Sequence, residues 1–112
     1  AHPLGLLCVQ NGYVVSVPRW IQPSEEGVEI GALATGEGGI TDDVSARHAH
    51  IWCDESGAWF VEDLSSTNGT VVVNGATSVC IQVEPGRSAQ LNPGDELKLG
   101  ESTTYAILLG AL

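Results

Sequence analysis

Two short segments of this chain carry the side chains best suited to form a binding site. Residues 44–49 contain the hydroxyl of Ser45 and the imidazole of His48, and residues 63–70 contain hydroxyl and amide groups. Short apolar runs with the pattern of β-strands flank both segments. We therefore expect the two segments to be loops carried by a rigid sheet. Polar side chains in that setting are typical of a recognition site and not of a reaction centre.

The rest of the chain predicts about ten to eleven short strands. Turn signals recur every eight to twelve residues, and no window shows a helical period over three turns. The clearest hairpin signals are Asn11-Gly12 and Asn74-Gly75. Two stretches are predicted to be loops, residues 18–27 and 34–45. The expected strands are residues 6–10, 13–17, 28–33, 48–53, 58–64, 70–73, 78–84, 89–91, 96–99 and 104–109. This pattern predicts an all-β sandwich or barrel.

Five motifs, in order, resemble the forkhead-associated (FHA) domain family. They are Glu29-Ile30-Gly31, Val44-Ser45-x-x-His48-Ala49, Asp63-Leu64-Ser65-Ser66-Thr67-Asn68-Gly69-Thr70, Val73-Asn74-Gly75 and Leu91-x-x-Gly94-Asp95-x-Leu97-x-Leu99-Gly100. The resemblance implies an FHA-like β-sandwich that binds phosphothreonine peptides, with residues 1–112 as one domain. The chain contains no methionine, so we expect a processed protein or a piece of a larger one.

The resemblance also assigns roles to particular residues. In the family, the serine hydroxyl binds the phosphate, the residue before the asparagine supports it, and the asparagine grips the peptide main chain. The implied phosphopeptide-binding residues are Ser45, Arg47, Ser66, Thr67 and Asn68. The implied structural residues are Gly31, His48, which would bond between loops, and Gly69, which would allow a positive φ.

One position departs from the family pattern, which places an arginine directly after the first glycine. Here Gly31 is followed by Ala32, and the nearest cation is Arg47. Charge-assisted hydrogen bonds contribute about 1.5–3 kcal/mol each against ~1 for neutral ones, so one lost contact costs roughly tenfold in affinity. We therefore expect weak or degenerate phosphothreonine binding in a signalling module. The alternative is a phosphate-independent FHA-fold interaction or assembly domain.

Composition narrows the classes of partner and the compartment. Fourteen acidic residues against four basic ones give a formal net charge of −10, which argues against nucleic acid and anionic membranes. The three cysteines are widely spaced and show no CxxC motif, so mostly buried thiols in a reducing, cytoplasmic compartment are expected. No uninterrupted apolar run approaches the roughly 18 residues of a membrane span, and no signal peptide is visible. We expect a monomer whose partner is a phosphorylated protein or peptide.

The residues disfavour two alternatives, one catalytic and one metal-binding. A hydrolase using Ser45, His48 and Asp43 is disfavoured because three positions so close in one loop cannot easily form a buried relay. A zinc site at His48, His50 and Asp54 lacks the second pair of ligands that structural zinc requires. The sequence therefore predicts no enzyme activity, no metal and no cofactor.

Overall fold

The computed structural model describes residues 2–32 and 43–111, and these residues are all-β. They form eleven strands, which confirms the predicted fold class and strand number. In chain order the strands are β1 (Leu4–Gln10), β2 (Tyr13–Val14), β3 (Arg19–Ile21), β4 (Val28–Ile30), β5 (Ala49–Cys53), β6 (Trp59–Asp63), β7 (Thr70–Val73), β8 (Cys80–Gln82), β9 (Ser88–Leu91), β10 (Glu96–Leu99) and β11 (Thr103–Leu109). The described ranges hold no helix able to cross a membrane.

The strands form two sheets. The larger sheet has the order β2-β1-β11-β10-β7-β8, with β3 also paired to β1, and the smaller sheet has the order β4-β5-β6-β9. All of these pairings are antiparallel. The long β1–β11 ladder, from Leu4↔Leu109 to Val9↔Thr104, brings the two ends of the chain together.

Alternating residues of both sheets form the core between them. In β5 the buried positions are Ala49, Ile51 and Cys53, as the period of a half-buried strand requires. The opposing sheet contributes buried residues that include Leu6, Leu97, Leu99, Tyr105 and Ile107. Because the inner faces of both sheets are mostly apolar and pack against each other, the sandwich provides a platform for the loops at its ends.

The predicted loop over residues 18–27 was wrong in part, because Arg19–Ile21 forms β3. Ile21 is buried opposite Leu4, and the flanking prolines lie outside the strand, where their missing N–H groups break no ladder bond. A Cβ on Gly5 would lie 2.6 Å from the Trp20 ring. A glycine at that position therefore leaves room for the tryptophan to cross β1.

The two Asn-Gly hairpin signals behave differently. Asn11 and Gly12 both have positive φ, 51° and 82°, and they join β1 to β2 as the predicted two-residue turn. Asn74-Gly75 also lies in a hairpin, between β7 and β8, but the loop spans residues 74–79. There the Asn74 side chain accepts hydrogen bonds from the N–H groups of Ala76 and Thr77, which favours a longer turn. Of the loop predicted over residues 34–45, only the last three positions are among the described residues.

Candidate functional site

One end of the smaller sheet carries the two loop segments that the sequence analysis selected as a binding site, together with Gly31. The antiparallel register aligns Ile30, Ala49 and Asp63 in one row across β4, β5 and β6. The chain leaves β4 and β6 and enters β5 at that row. Gly31-Ala32, residues 43–48 and residues 64–69 therefore emerge side by side.

Ser45 joins two of these loops. Its Oγ accepts a hydrogen bond of 3.0 Å from the N–H of Thr67, twenty-two residues further along the chain. Because the oxygen accepts this bond, the hydroxyl hydrogen can still point to a ligand. Thr67 and Asn68 are exposed beside it, and Ser45 itself is half-buried. The structure thus brings three of the five predicted binding residues together.

His48 lies beneath this contact and is fully buried. Its Nδ1 accepts from the Ser45 N–H at 3.0 Å, and its Nε2 lies 2.7 Å from the carbonyl oxygen of Gly69. The first bond leaves Nδ1 unprotonated, so Nε2 carries the hydrogen and donates it. Both ring nitrogens are occupied by backbone groups, and neither faces the Ser45 hydroxyl as a general base would. The histidine therefore ties the two loops to each other.

Asp63, the last residue of β6, organises the loop that follows it. Its buried carboxylate accepts hydrogen bonds from the N–H and hydroxyl of Ser66 and from the Thr70 hydroxyl. The Ser66 oxygen accepts in turn from the N–H of Gly69 at 3.0 Å. Ser66 is thus engaged within the loop, and its contact with a ligand stays a prediction. Gly69 has a φ of 89°, which favours glycine.

The hydrogen bonds to Asp63 also affect the pKa of its carboxyl group. Burial raises the pKa of this carboxyl, but the bonds from Ser66 and Thr70 outweigh burial, and the resulting pKa lies below the ordinary value. The charged form is therefore the one that holds the loop. A carboxylate that accepts three such bonds stabilises the loop only while it is ionised.

The turn between β10 and β11, which belongs to the larger sheet, forms a third side of the site. The Asp43 carboxylate accepts from the N–H groups of Glu101 and Ser102, at 2.6 and 3.0 Å. The main-chain oxygen of Asp43 accepts from the Asn68 side-chain amide at 2.9 Å. The N–H of Gly100 donates to the Gly69 oxygen at 3.0 Å. These bonds fix residues 43–48 and 64–69 against the β10–β11 turn.

Gly31 and Ala32 form the start of the neighbouring segment. A Cβ on Gly31 would lie 2.6 Å from the carbonyl oxygens of Ser45 and Ala46 and 2.8 Å from the N–H nitrogen of His48. Only glycine fits there without moving the backbone. The N–H of Ala32 donates to the Ser45 oxygen at 3.0 Å, and the residue is exposed. Position 32 therefore lies against the Ser45 loop but presents only a methyl group to solvent.

The Arg47 side chain is exposed, and its guanidinium forms a two-pronged ion pair with Glu29 on β4. Its Nε donates to Glu29 Oε1 at 2.8 Å, and its Nη2 donates to Oε2. The hydrogen bonding from Arg47 lowers the pKa of Glu29. Arg47 also lines a surface groove with Glu62, Leu64 and Ser65. A phosphopeptide contact from Arg47 stays a prediction.

The sequence analysis missed a cation that the topology brings to the same end. β9 pairs with β6 in the register Ser88↔Glu62, so the turn before β9 lies beside the end of β6. Gly86 of that turn lines the Arg47 groove, and Arg87 follows it directly. The two arginines are forty residues apart in sequence, so only the strand pairing could reveal this proximity.

The two histidines proposed and rejected as zinc ligands are separated by the sheet geometry. His48 lies in the interior, whereas the ring of His50 is on the outer face, stacked on Trp52 at 5.2 Å. His50 Nδ1 pairs with Glu62 at 2.9 Å, and Nε2 lies 2.7 Å from the Glu26 oxygen. Among the described residues, no cluster of three metal-ligating side chains is present.

Comparisons with known proteins agree with the all-β fold and identify its family. The family model of the FHA domain matches residues 39–100, more than half of the chain. An FHA domain-containing protein from Arabidopsis thaliana is 35% identical over 82 residues, which cover 71% of this chain and 19% of the relative. This chain belongs to the FHA domain family, and it spans about a fifth of that relative.

Solved structures give the same assignment. The solution structure of the FHA domain of an Arabidopsis thaliana hypothetical protein superposes with a TM-score of 0.74 at 28% identity, covering 100% of this chain and 89% of that one. The human APLF FHA domain, crystallised with an XRCC1 bisphospho peptide, gives a TM-score of 0.72 at 25% identity. That match covers 95% of this chain and 97% of the APLF chain.

Proposed function

We propose that this domain binds phosphothreonine peptides at the end of the sandwich formed by residues 43–48 and 64–69. The observation that carries the proposal is the 3.0 Å bond from the Thr67 N–H to Ser45 Oγ. Because Oγ accepts this bond, the hydroxyl hydrogen remains available to donate to a phosphate oxygen, and Thr67 and Asn68 are exposed alongside. Family membership and the APLF domain bound to a bisphospho peptide support the same ligand class.

Asn68 suits the role of gripping an extended peptide. One hydrogen of its amide group is used on the Asp43 oxygen. A primary amide offers two donor hydrogens and one acceptor oxygen, so one donor and the acceptor remain for a ligand. A peptide main chain presents one N–H and one C=O per residue. Asn68 can therefore bond to the main chain of a peptide while it stays anchored to the Asp43 loop.

Weak affinity follows from the charges at the site. A phosphate group carries about −1.5 to −2 charges at neutral pH, and the whole chain carries −10. Ala32 supplies no cation, and the Arg47 guanidinium is shared with Glu29. Neutral donors contribute about 0.5–1.5 kcal/mol each. We therefore expect binding carried mainly by neutral hydrogen bonds and weakened further by the acidic field.

Titration of paired peptides tests this function. A fluorescein-labelled peptide pool with one fixed phosphothreonine and its unphosphorylated counterpart are titrated with the domain by fluorescence polarisation. Only the phosphorylated pool should bind, and Ser45→Ala should weaken it by about tenfold. Ser56→Ala is the matched control, because Ser56 lies in the β5–β6 turn at the opposite end of the sheet and donates only within that turn. Equal binding of both pools would contradict phosphate recognition.

A second candidate function is phosphate-independent interaction or assembly through the same fold. The absence of a cation at Ala32, together with the Arg47–Glu29 pair, favours it. In that case the same titration would give phosphorylated and unphosphorylated ligands equal affinity, and Ser45→Ala would leave binding unchanged.

We extend the proposal to the state of the protein in the cell. The domain would act as a non-enzymatic, monomeric interaction module in the cytoplasm, formed by residues 1–112 within a larger protein, and it would not use nucleic acid or membranes as partners. Sedimentation of the purified chain tests the monomer, since a mass above 11.7 kDa that rises with concentration would contradict it.

A further inference from the structure

The ion pair between Glu29 and Arg47 controls the cation nearest to the candidate site. Both donors point at one carboxylate, with Nε on Oε1 and Nη2 on Oε2. The pair lies at the surface, where the Arg47 side chain is 65% exposed and the Glu29 side chain 38%. A pair this exposed contributes little to stability, and it can exchange partners without stranding a buried charge.

Arg47 is also close enough to serve the phosphate. Consecutive Cα atoms are 3.8 Å apart, so the Cα atoms of Arg47 and Ser45 are within about 7.6 Å of each other. Arg47 lines a groove with Leu64 and Ser65, and Ser65 lies two residues before Thr67 in the chain. The two-pronged geometry that now engages Glu29 is also the geometry in which arginine binds phosphate oxygens.

We infer that Glu29 is a built-in competitor for the phosphate group, and that Arg47 exchanges Glu29 for the phosphorylated ligand on binding. The inference rests on the proposed phosphopeptide function. The carboxylate occupies the guanidinium in the free domain, and the ligand phosphate takes its place. Glu29 thereby sets the affinity of a site that has no arginine at position 32.

Charge-neutral variants of two neighbouring glutamates separate this competition from a general field effect. Glu29→Gln removes the competing carboxylate. Glu26→Gln removes the same charge from a second pocket, which Glu26 and Glu29 line together with His50, but does not release Arg47. Each variant, and the double variant Glu29→Gln with Arg47→Ala, is titrated against the phosphothreonine pool and the unphosphorylated pool. Urea unfolding midpoints check that all variants are folded.

The expected result is a Kd for Glu29→Gln about two- to fivefold below that of the wild type, since exposed ion pairs contribute up to that factor. Glu26→Gln should give a smaller change, and the double variant should lose the gain. Equal effects of the two glutamate variants, or an unchanged Kd in Glu29→Gln while the wild type binds, would overturn the competition and leave the proposed function standing. If no variant bound either pool, the proposed function would fail, and the competition with it.

The side-chain resonance of Arg47 gives a second readout of the exchange. The Nε–Hε group donates to Glu29 in the free domain, so its NMR shift reports on the partner of the guanidinium. We expect this resonance to move when the phosphothreonine pool saturates the wild type and to move already in free Glu29→Gln. A resonance unmoved at saturation would show that Arg47 stays on Glu29.

Discussion

The substitution His48→Ala should destabilise the whole domain and should not act as a selective binding defect. The imidazole is fully buried and links Ser45 to Gly69 through bonds of 3.0 and 2.7 Å. Alanine leaves the Ser45 N–H and one acceptor position of the Gly69 oxygen without their partner. That oxygen still accepts from Gly100 at 3.0 Å, so the larger loss falls on the N–H.

The magnitude follows from these two groups. A buried polar group left unsatisfied costs about 1–3 kcal/mol. Water can partly reach the groups of these loops, and the Gly69 oxygen keeps its bond from Gly100. We therefore expect His48→Ala to lower the free energy of unfolding by about 2–4 kcal/mol in total. For a domain of roughly 100 residues, 1 kcal/mol corresponds to a change of about 4 °C in Tm. The expected decrease in Tm is therefore about 8–16 °C.

Urea denaturation and thermal melting by circular dichroism measure this effect. The matched control is His50→Ala, which also removes an imidazole with two hydrogen-bonding partners. Its side chain is 23% exposed on the sheet surface, so solvent replaces the lost partners and the decrease should be smaller. A Tm for His48→Ala equal to that of the wild type, with phosphopeptide binding lost, would refute the role of His48 as a link between loops.

Three further predictions follow from the same geometry. Ala32→Arg should add a charge-assisted contact of about 1.5–3 kcal/mol to phosphothreonine binding, with a gain that shrinks as salt rises; calorimetry showing no gain in a folded variant would mean that the pocket lacks more than a cation. Because the pKa of Asp63 is lowered on folding, its stabilisation is present above the unfolded pKa of about 3.9 and is lost as the pH falls through the folded value. Unfolding midpoints from pH 2 to 7 should therefore depend less on pH in Asp63→Asn than in the wild type, and parallel curves would contradict the prediction. Gly31→Ala should lower the urea midpoint because a Cβ would lie 2.6 Å from two carbonyl oxygens, and an unchanged midpoint would show that the Ser45 loop can move aside at no cost.

Much of the fold could be predicted because it depends on local patterns. Alternating burial in β5 and β6 and the Asn11-Gly12 turn follow from neighbouring residues alone. The strand β3 could not be found in this way, since it has only three residues and lies between two flanking prolines, and pairing with β1 provides the stabilisation. A short strand whose burial depends on a distant partner leaves almost no local signal.

The candidate site also contains residues that local motifs predict and residues that only the strand pairing reveals. Ser45, Thr67 and Asn68 could be selected from motif order, because the loop segments that carry them have fixed sequence patterns. The Glu29–Arg47 pair and the position of Arg87 depend on strand register, which joins residues eighteen and forty positions apart. Asp63 belongs to one of the five motifs, but its role depends on burial and on three hydrogen bonds that only the structure reveals.

The central claim is that a phosphothreonine ligand meets Ser45, Thr67 and Asn68 at one end of the sandwich. NMR titration of the ¹⁵N-labelled domain with the phosphothreonine pool tests it most directly, because each backbone amide reports on its own position. We predict that the largest shifts fall on residues 43–48 and 64–69, and that the unphosphorylated pool produces none of them. Shifts confined to other surfaces, or identical shifts from both pools, would contradict the account.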